Sequence, residues 1–382
     1  MMFKIKQKLA KLKFLLKIDL NRKLMTSRYR SIYNTWLFPM AVWLVIFFMY
    51  FISVWGMLDF MSNGILKDYL SSWYVYLELF MGSILFGLFF SLIDMISDRT
   101  FIRRKSFGLI ILFKSLLYLV MVLVVFSLVF GTFYIFQLGP MENPENIYVL
   151  LTPRFLISYM AYFLFTVLLL NFIVQINRKL GPGNLRNLIF GKYHKPRDEY
   201  RIFLFLDLKG STTIAEHLGH KTYSKFLRNC YHDLTDIVIR YNADIYQYVG
   251  DEVVLSWKIK DNEQTLKSVS MYFAFKERLE KRKEFYLKRY DTLPEFKGGM
   301  DLGVVTVAEI GDIKREIAYH GDVLNTAARI QDQCKVLNKD LLVSEHVEEK
   351  LLTLNGFKKE FIGDVNLRGK EKALKIYSLD EA

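Results

Sequence analysis

Hydrophobic residues follow two different patterns along the chain. Through the first 176 residues they form four long stretches, each close to the ~20 residues with which an α-helix crosses a bilayer: Trp36–Leu58, Trp73–Ile93, Leu116–Phe136 and Phe155–Val174. From about residue 199 they recur at helical or alternating spacing among polar residues, as in a domain exposed to water. The pattern predicts an α-helical four-span membrane domain at residues 35–176 and a second domain at residues 199–382.

The second domain alternates predicted strands and helices. The stretch "YRIFLFLDL" predicts a strand that runs into "KGSTT", where Ser211, Thr212 or Thr213 caps a helix. Apolar residues at helical spacing from Tyr223 to Tyr241 predict the body of a helix. A hairpin, a long charged helix and another strand follow, at Asp244–Val249 with Val253–Ile259, at residues 262–289 and around residues 300–310. The order β-α-β-β-α-β is the ferredoxin-like arrangement of an α+β domain.

The formal net charge is +13, and its distribution orients the predicted spans. The first 30 residues carry ten Lys or Arg against one acid, and the loop "DRTFIRRK" adds four more. Leu138–Pro153 contains neither Lys nor Arg, and basic loops stay in the cytoplasm. We therefore predict a multi-pass protein of the inner or cell membrane with both termini in the cytoplasm.

Two basic segments flank the spans. Residues 1–34 predict an amphipathic segment that binds anionic membrane lipid, because Ile5, Leu9 and Leu12 recur at helical spacing among lysines. Residues 177–198 contain glycines and prolines and predict a cytosolic linker or transducer. Since the membrane accounts for the excess positive charge, no nucleic-acid partner is expected.

Three ionisable residues, Glu78, Asp94 and Lys114, lie within or beside the predicted spans. Charged groups are costly inside a bilayer, so they are candidate sensing or pairing sites. Lys114 and Asp94 are expected at the interface, where long side chains reach water, whereas Glu78 is the stronger candidate for a site inside the membrane.

Two carboxylates of the second domain are candidates for chemistry. Asp207 ends the first predicted strand and Asp251 lies at the tip of the hairpin "YQYVGDEVVLSW", although an acidic turn is also what water exposure favours. The first and third strands of a ferredoxin-like sheet are neighbours, so the carboxylates are expected side by side, where they repel each other without a cation. The N–H groups of Gly210, Ser211 and Thr212 begin a helix beside them, and this combination suits Mg²⁺ with a triphosphate.

Three segments, "FLDLKGSTTIAEHLG", "IYQYVGDEVVLSW" and "YHGDVLNTAARI", resemble in order and spacing the signature segments of class III nucleotide cyclases. The resemblance covers residues 199–382, and four spans before the domain are similar to many bacterial membrane-bound members. It implies an adenylate cyclase that converts ATP to 3′,5′-cyclic AMP and pyrophosphate with two Mg²⁺ or Mn²⁺ ions per active site. Diguanylate cyclases are disfavoured, because "VGDEV" lacks their double glycine and "NTAAR" has no counterpart there.

The resemblance implies a role for individual residues. Asp207 and Asp251 match the metal-binding aspartates, and the backbone carbonyl of Leu208 is the usual further ligand. Asn325 matches the residue that orients the ribose, and Arg329 matches the residue that stabilises charge developing at the α-phosphate. Their i,i+4 spacing puts both on one face of a helix. In this family the aspartates come from one subunit and the asparagine and arginine from the other, which implies a homodimer with two equivalent sites.

Three further substrate-binding positions follow from the resemblance. Lys370 resembles a late lysine that contacts the terminal phosphates. Gln247 stands where adenylate cyclases carry Lys, and Ala318 stands where they carry Asp or Thr. Guanylate cyclases usually have Glu and a small residue at these two positions, so neither pattern fits. Gln247 both donates and accepts hydrogen bonds, so it suits adenine without excluding guanine. ATP is the expected substrate.

Two alternative functions stay open. The first is a cyclase that uses GTP or a pyrimidine triphosphate, and the second is a membrane receptor that binds nucleotide without turnover. The presence of Asp207, Asp251, Asn325 and Arg329 argues against the second. The spans are expected to regulate the enzyme through the linker, and the simpler alternative is that they only anchor it.

Overall fold

The structure, a computed structural model, describes residues 36–56, 71–99, 106–138, 152–180, 184–313, 315–351, 357–365 and 373–381. The chain divides into two compact units, Met1–Ile176 and Asn177–Ala382. The predicted amphipathic segment at residues 1–34 and the predicted phosphate contact Lys370 lie outside the described residues.

The first unit consists of long apolar helices, α1 (Phe38–Trp55), α2 (Tyr74–Arg99), α3 (Phe107–Ile135) and α4 (Pro153–Leu180). Each contains a segment long and apolar enough to cross a membrane, as the sequence predicts. Aromatic rings pack these helices together. The ring centroids of Trp43 and Phe86 are 4.7 Å apart, which joins α1 to α2, and those of Phe47 and Phe163 are 4.9 Å apart, which joins α1 to α4.

Lys114 lies inside this unit rather than at its edge. α3 begins at Phe107, ahead of the predicted span start at Leu116, because the helix continues through the lysine. The Lys114 side chain is only 1% exposed and donates a hydrogen bond to Asp94 of α2. The expectation that Lys114 reaches water at the interface was therefore wrong, since pairing with a carboxylate offsets part of the cost of burying its charge.

The second unit is built on an eight-stranded sheet. Its elements in chain order are α5 (Asn184–Ile189), β1 (Arg197–Leu208), α6 (Ser211–Leu218), α7 (His220–Arg240), β2 (Asp244–Val249), β3 (Glu252–Lys258), α8 (Asn262–Lys281), α9 (Lys283–Tyr290), β4 (Phe296–Ile310), β5 (Glu316–His320), α10 (Asp322–Val336), β6 (Leu341–Ser344), α11 (Glu345–Leu351), β7 (Phe357–Val365) and β8 (Leu374–Glu381). The strand order is β2-β3-β1-β4-β6-β8-β7, and β5 pairs with β4. The first four strands have the predicted ferredoxin-like order.

Successive residues of β1 point to opposite faces of the sheet. Leu204 and Leu206 are buried in the core that α7 and α8 cover. Phe203 and Phe205 are buried on the other side, together with Ala327 of α10. We call this second side the α10 face. Because Asp207 continues the series of Phe203 and Phe205, its side chain belongs to the α10 face.

Two glycines of β4 allow α10 to lie directly on the sheet. A Cβ atom at Gly299 would stand 2.3 Å from the backbone nitrogen of Gln331, and one at Gly303 would stand 2.7 Å from Cγ2 of Val323. Any side chain at Gly299 would therefore push the helix backbone away. The lack of side chains at these two glycines therefore allows the short distance between α10 and β4.

The long charged helix predicted at residues 262–289 is two helices, because α8 ends at Lys281 and α9 begins at Lys283. The break falls at Arg282, whose guanidinium donates a hydrogen bond at 2.5 Å to the buried carboxylate of Asp233 on α7. Helical periodicity continues across this position in the sequence. The periodicity of the sequence therefore does not reveal a tertiary contact of this kind.

The second unit already includes Tyr193, which precedes the predicted domain start at residue 199. β1 begins at Arg197, and the Tyr193 side chain is buried in the cluster on the α10 face. The Tyr193 carbonyl accepts a hydrogen bond from the backbone N–H of Glu309 on β4 at 2.9 Å. The end of the predicted linker thus packs on the sheet.

Candidate active site

The carboxylates of Asp207 and Asp251 meet where β1 ends beside the β2–β3 hairpin. β1 lies between β3 and β4, and its Leu206 pairs with Val253 of β3, which brings Asp207 to the hairpin turn. The turn depends on Gly250, whose φ of 63° lies in the left-handed region. The two carboxyl groups lie close enough for Asp251 to raise the pKa of Asp207. The structure therefore brings together the two aspartates that the sequence analysis paired.

The surroundings of Asp207 make its carboxyl a weaker acid than usual. Burial and then the nearby carboxylate of Asp251 raise the pKa of Asp207 to about 6, although the Leu208 backbone and Gln331 act in the opposite direction. Two ionised carboxylates at this position repel each other, and a divalent cation with a preference for oxygen relieves that repulsion. The pair therefore fits Mg²⁺ or Mn²⁺. Among the described residues, no three His, Cys, Asp or Glu side chains are grouped to hold an ion, so further ligands would be carbonyl, substrate or water oxygens.

Glu252 adds a third acid to this site, to which the sequence analysis gave no role. Burial and then the charges of Asp207, Asp332 and Asp251 raise the pKa of Glu252 to about 7. The only sequence signal was its place in "GDE" directly after Asp251. A position next to Asp251 in a turn does not distinguish a residue of the site from a residue that faces water.

Two neutral side chains that the sequence did not single out hold the acidic site in place. The side chain of Gln331 on α10 lies near Asp207 and lowers the pKa of its carboxyl. The hydroxyl of Tyr231 on α7 donates to the carbonyl of Gly250 at 3.1 Å, while its ring lies 4.6 Å from the ring of Tyr248. These contacts join residues far apart in sequence, which explains why local patterns missed them.

The start of α6 lies directly after β1. Gly210, with φ of 69°, occupies the N-cap position, and no side chain caps the helix. The prediction that Ser211, Thr212 or Thr213 caps this helix was wrong, because the left-handed glycine ends the turn one residue earlier. Ser211 instead lies near Tyr223, whose pKa is raised to about 12 by burial and by the charges of Asp251 and Asp207. The first-turn N–H groups, including those of Ser211 and Thr212, are suited to an anion beside the acidic pair.

Asn325 and Arg329 lie on the far side of α10 from its own sheet. The buried side of the helix includes Ala327 and Ile330, both 0% exposed. At about 100° of rotation per residue, Asn325 and Arg329 share the opposite side. Asn325 is exposed and Arg329 is partly exposed. Gln331 lies on the buried side and reaches Asp207, so Asn325 and Arg329 point away from the acidic pair of their own chain.

The two predicted base-contact positions lie on neighbouring segments. A bulge in β2 between Ile245 and Gln247 places Gln247 opposite Val254, on the α10 face. Ala318 is 8% exposed and pairs with Ala308 of β4. Next to these positions, the rings of Tyr246 and Tyr319 meet edge to face with centroids 5.0 Å apart.

Comparison with known proteins places this unit in a family. The family model for the adenylate and guanylate cyclase catalytic domain matches residues 193–381. "Adenylate cyclase 2" of Rhizobium meliloti is 31% identical over 208 residues, which are 54% of this chain and 57% of that protein. An adenylate cyclase of Anabaena cylindrica is 21% identical over 204 residues, which are 52% of this chain and 40% of that protein. A solved adenylyl cyclase of P. aeruginosa is 18% identical, with a TM-score of 0.45 over 49% of this chain and 97% of that one.

Residues 193–381 are thereby identified with the catalytic domain of the class III adenylate and guanylate cyclases. This confirms the resemblance of the three signature segments. The chain spans about half the length of the curated relatives that it matches.

Proposed function

We propose that the protein converts ATP to 3′,5′-cyclic AMP and pyrophosphate at sites shared between two copies of the chain, with two Mg²⁺ or Mn²⁺ ions at each site. The observation that carries the proposal is the meeting of Asp207 and Asp251 beside the start of α6, which no side chain caps. Carboxylates suit the cations, and the helix N–H groups suit the phosphates that accompany them. The relative that is 31% identical is named an adenylate cyclase, which supports ATP as the substrate.

In the proposed reaction the ribose 3′-hydroxyl gives its proton to solvent and its oxygen attacks the α-phosphorus. The bond from the α-phosphorus to the α,β-bridging oxygen breaks, and pyrophosphate leaves with that oxygen. The ions, when bound, lower the pKa of the attacking hydroxyl and neutralise the triphosphate. Asp207 and Asp251 supply the negative charge that holds them, and Leu208 offers its backbone carbonyl alongside. The N–H groups of Gly210, Ser211 and Thr212 orient the phosphate oxygens.

The orientation of α10 supports a homodimer. Asn325 and Arg329 face away from their own sheet, so they meet an acidic pair only if a second copy presents one. A partner that docks its metal-binding edge against α10 completes two equivalent sites. In each, Arg329 faces the charge that develops at the α-phosphate and Asn325 faces the ribose.

The membrane unit supports a wider proposal about location and control. The four apolar helices and the basic sequences before the first span and between the second and third spans favour a multi-pass protein of the inner or cell membrane with cytoplasmic termini. Residues 177–198 connect the spans to the cyclase domain and would act as a transducer. Membrane lipid is then the partner of the first unit.

Product identification tests the proposed reaction. Purified full-length protein is incubated with ATP, GTP, CTP or UTP in the presence of Mg²⁺ or Mn²⁺, and products are separated by chromatography. We expect equal amounts of cyclic AMP and pyrophosphate from ATP, and neither from Asp251→Ala. A different cyclic product would change the substrate to GTP or a pyrimidine triphosphate. Binding without any product would favour a nucleotide receptor.

A further inference from the structure

A buried charged cluster lies on the α10 face, centred on Arg201 of β1, which is 2% exposed. Its guanidinium donates hydrogen bonds to Glu199 at 2.8 Å, to Ser256 of β3 at 2.8 Å and to Asp244 of β2 at 2.5 Å. The guanidinium carbon also stands 4.9 Å from the ring centroid of Tyr319 on β5. Arg201 therefore contacts β2, β3 and β5 at once.

The contacts of Arg201 converge on the two tyrosines beside the base-contact positions. Tyr246 precedes Gln247, and Tyr319 follows Ala318. Arg201 holds the Tyr319 ring by stacking, and it holds the strand of Tyr246 through the first residue of β2. Because the two tyrosine rings also contact each other, the guanidinium is linked to both segments.

Stability alone is a weak explanation for this cluster. Burial of an arginine and a glutamate has a desolvation cost, and apolar residues of similar volume often give equal or greater stability. Phe203, Val305 and Val307 are buried apolar residues on the same face. A planar guanidinium provides something that apolar residues lack, because it fixes several hydrogen-bond directions together.

We propose that Arg201 is a positioning residue for recognition of the nucleotide base. It sets the separation of the segments that carry Gln247 and Ala318, and it does so through Asp244 and Tyr319 rather than by touching the nucleotide. The inference rests on the proposed function and on the family resemblance, which implies that these two positions face the base. It requires that loss of the Arg201 contacts weakens base recognition and leaves phosphate binding nearly intact.

The substitution Arg201→Lys tests this requirement, because lysine keeps the charge and lacks the planar fork. Binding of ATP and of inorganic triphosphate, which has no base, is measured on the full-length protein by displacement of a fluorescent ATP analogue. We expect ATP binding to weaken about tenfold and triphosphate binding to change less than about twofold. Arg282→Lys is the matched control, since Arg282 bonds buried Asp233 and lies 4.1 Å from the ring centroid of Phe285. This control should change neither affinity.

Equal weakening of ATP and triphosphate binding, or unchanged ATP binding, would overturn the proposal. If Arg201→Lys fails to fold, Asp244→Asn weakens the same contact from a side chain that is 56% exposed. It should shift ATP binding in the same direction by about threefold, again without an effect on triphosphate. Turnover separates the two claims: a wild-type protein that forms no cyclic nucleotide contradicts the proposed function, whereas the binding comparison decides the role of Arg201.

Discussion

At the scale of single residues, Asp207 and Asp251 form one unit, because neither carboxylate can hold a divalent cation as well without the other. Asp207→Ala or Asp251→Ala should lower the rate of cyclic AMP formation by at least about tenfold, because the contribution of the metal ions to catalysis is lost. Fold and dimerisation should persist, because the deleted groups repel each other. Glu277→Ala removes an exposed carboxylate from α8 and should have no effect. Retention of about a tenth of the activity or more by either aspartate variant would contradict metal-ion catalysis at this pair.

The same contact predicts how pH affects the protein. The raised pKa of Asp207, about 6, means that the folded protein without metal holds a proton that the unfolded chain releases nearer its ordinary value of 3.8. The resulting stability is present at low pH and is lost as pH rises through about 6. Mg²⁺ binds the ionised pair, so its stabilising effect should grow over the same interval. Thermal unfolding measured at several pH values, with EDTA or with Mg²⁺, follows both trends. Asp207→Asn should make both depend less on pH.

Arg329 tests a different part of the proposed reaction. A preorganised charge donor at the reacting phosphate typically contributes on the order of 10²–10³ in rate. Arg329→Ala should therefore lower kcat by about that factor with little change in KM for ATP, whereas Arg329→Lys should recover part of the loss. Steady-state kinetics distinguish this result from a rise in KM at unchanged kcat, which would assign Arg329 to binding of the ground state.

At the scale of elements, local patterns specified much of the site. Alternating apolar residues predicted β1 and the β2–β3 hairpin, and the ferredoxin-like order then made Asp207 and Asp251 neighbours. The i,i+4 spacing of Asn325 and Arg329 is enough to put both on one side of a helix. On α10 the two residues do lie on the same side. In each case the information lies within a few residues of the chain, where strand and helix periods are recorded.

Features set by contacts between distant elements were not predictable in this way. The pairing of Arg201 with Asp244 and Tyr319 depends on three strands coming together. Burial of Lys114 depends on a carboxylate of another helix. The bulge that turns Gln247 to the α10 face is a local irregularity, which a sequence of alternating residues does not record. The geometry around the proposed base-contact positions could not be predicted, because it depends on the contacts of Arg201 and on this bulge.

At the scale of the whole molecule, the proposed shared site predicts complementation between damaged copies. Asp251→Ala and Arg329→Ala chains, each inactive alone, form on mixing a dimer with one intact site and one site that lacks both groups. Random pairing makes about half the dimers mixed, each with one of its two sites intact, so activity should recover to about a quarter of wild type. Distinct affinity tags on the two chains verify that mixed dimers exist. Mixed dimers without activity would show that each chain uses its own Asp251 and Arg329.

The proposed control by the membrane unit would pass through residues 177–198, which connect the spans to the cyclase sheet. The end of this connection is fixed to the cyclase sheet, because Tyr193 donates a hydrogen bond from its hydroxyl to Glu199 at 3.2 Å and accepts one at its carbonyl from Glu309. Glu199 in turn accepts a hydrogen bond from Arg201. A displacement of the connection would therefore reach the segments that carry the base-contact positions.

Insertions into the connection test this route. One to four alanines placed after Leu180 should change the rate of cyclic AMP formation, with the sign depending on the number inserted, because each helical residue adds about 100° of rotation. Tyr193→Phe, which removes only the hydroxyl that reaches Glu199, should reduce the response to insertion. If the spans were only an anchor, every insertion would leave the rate unchanged. Residues 184–382 alone, at concentrations where they are fully dimeric, would then match the full-length rate.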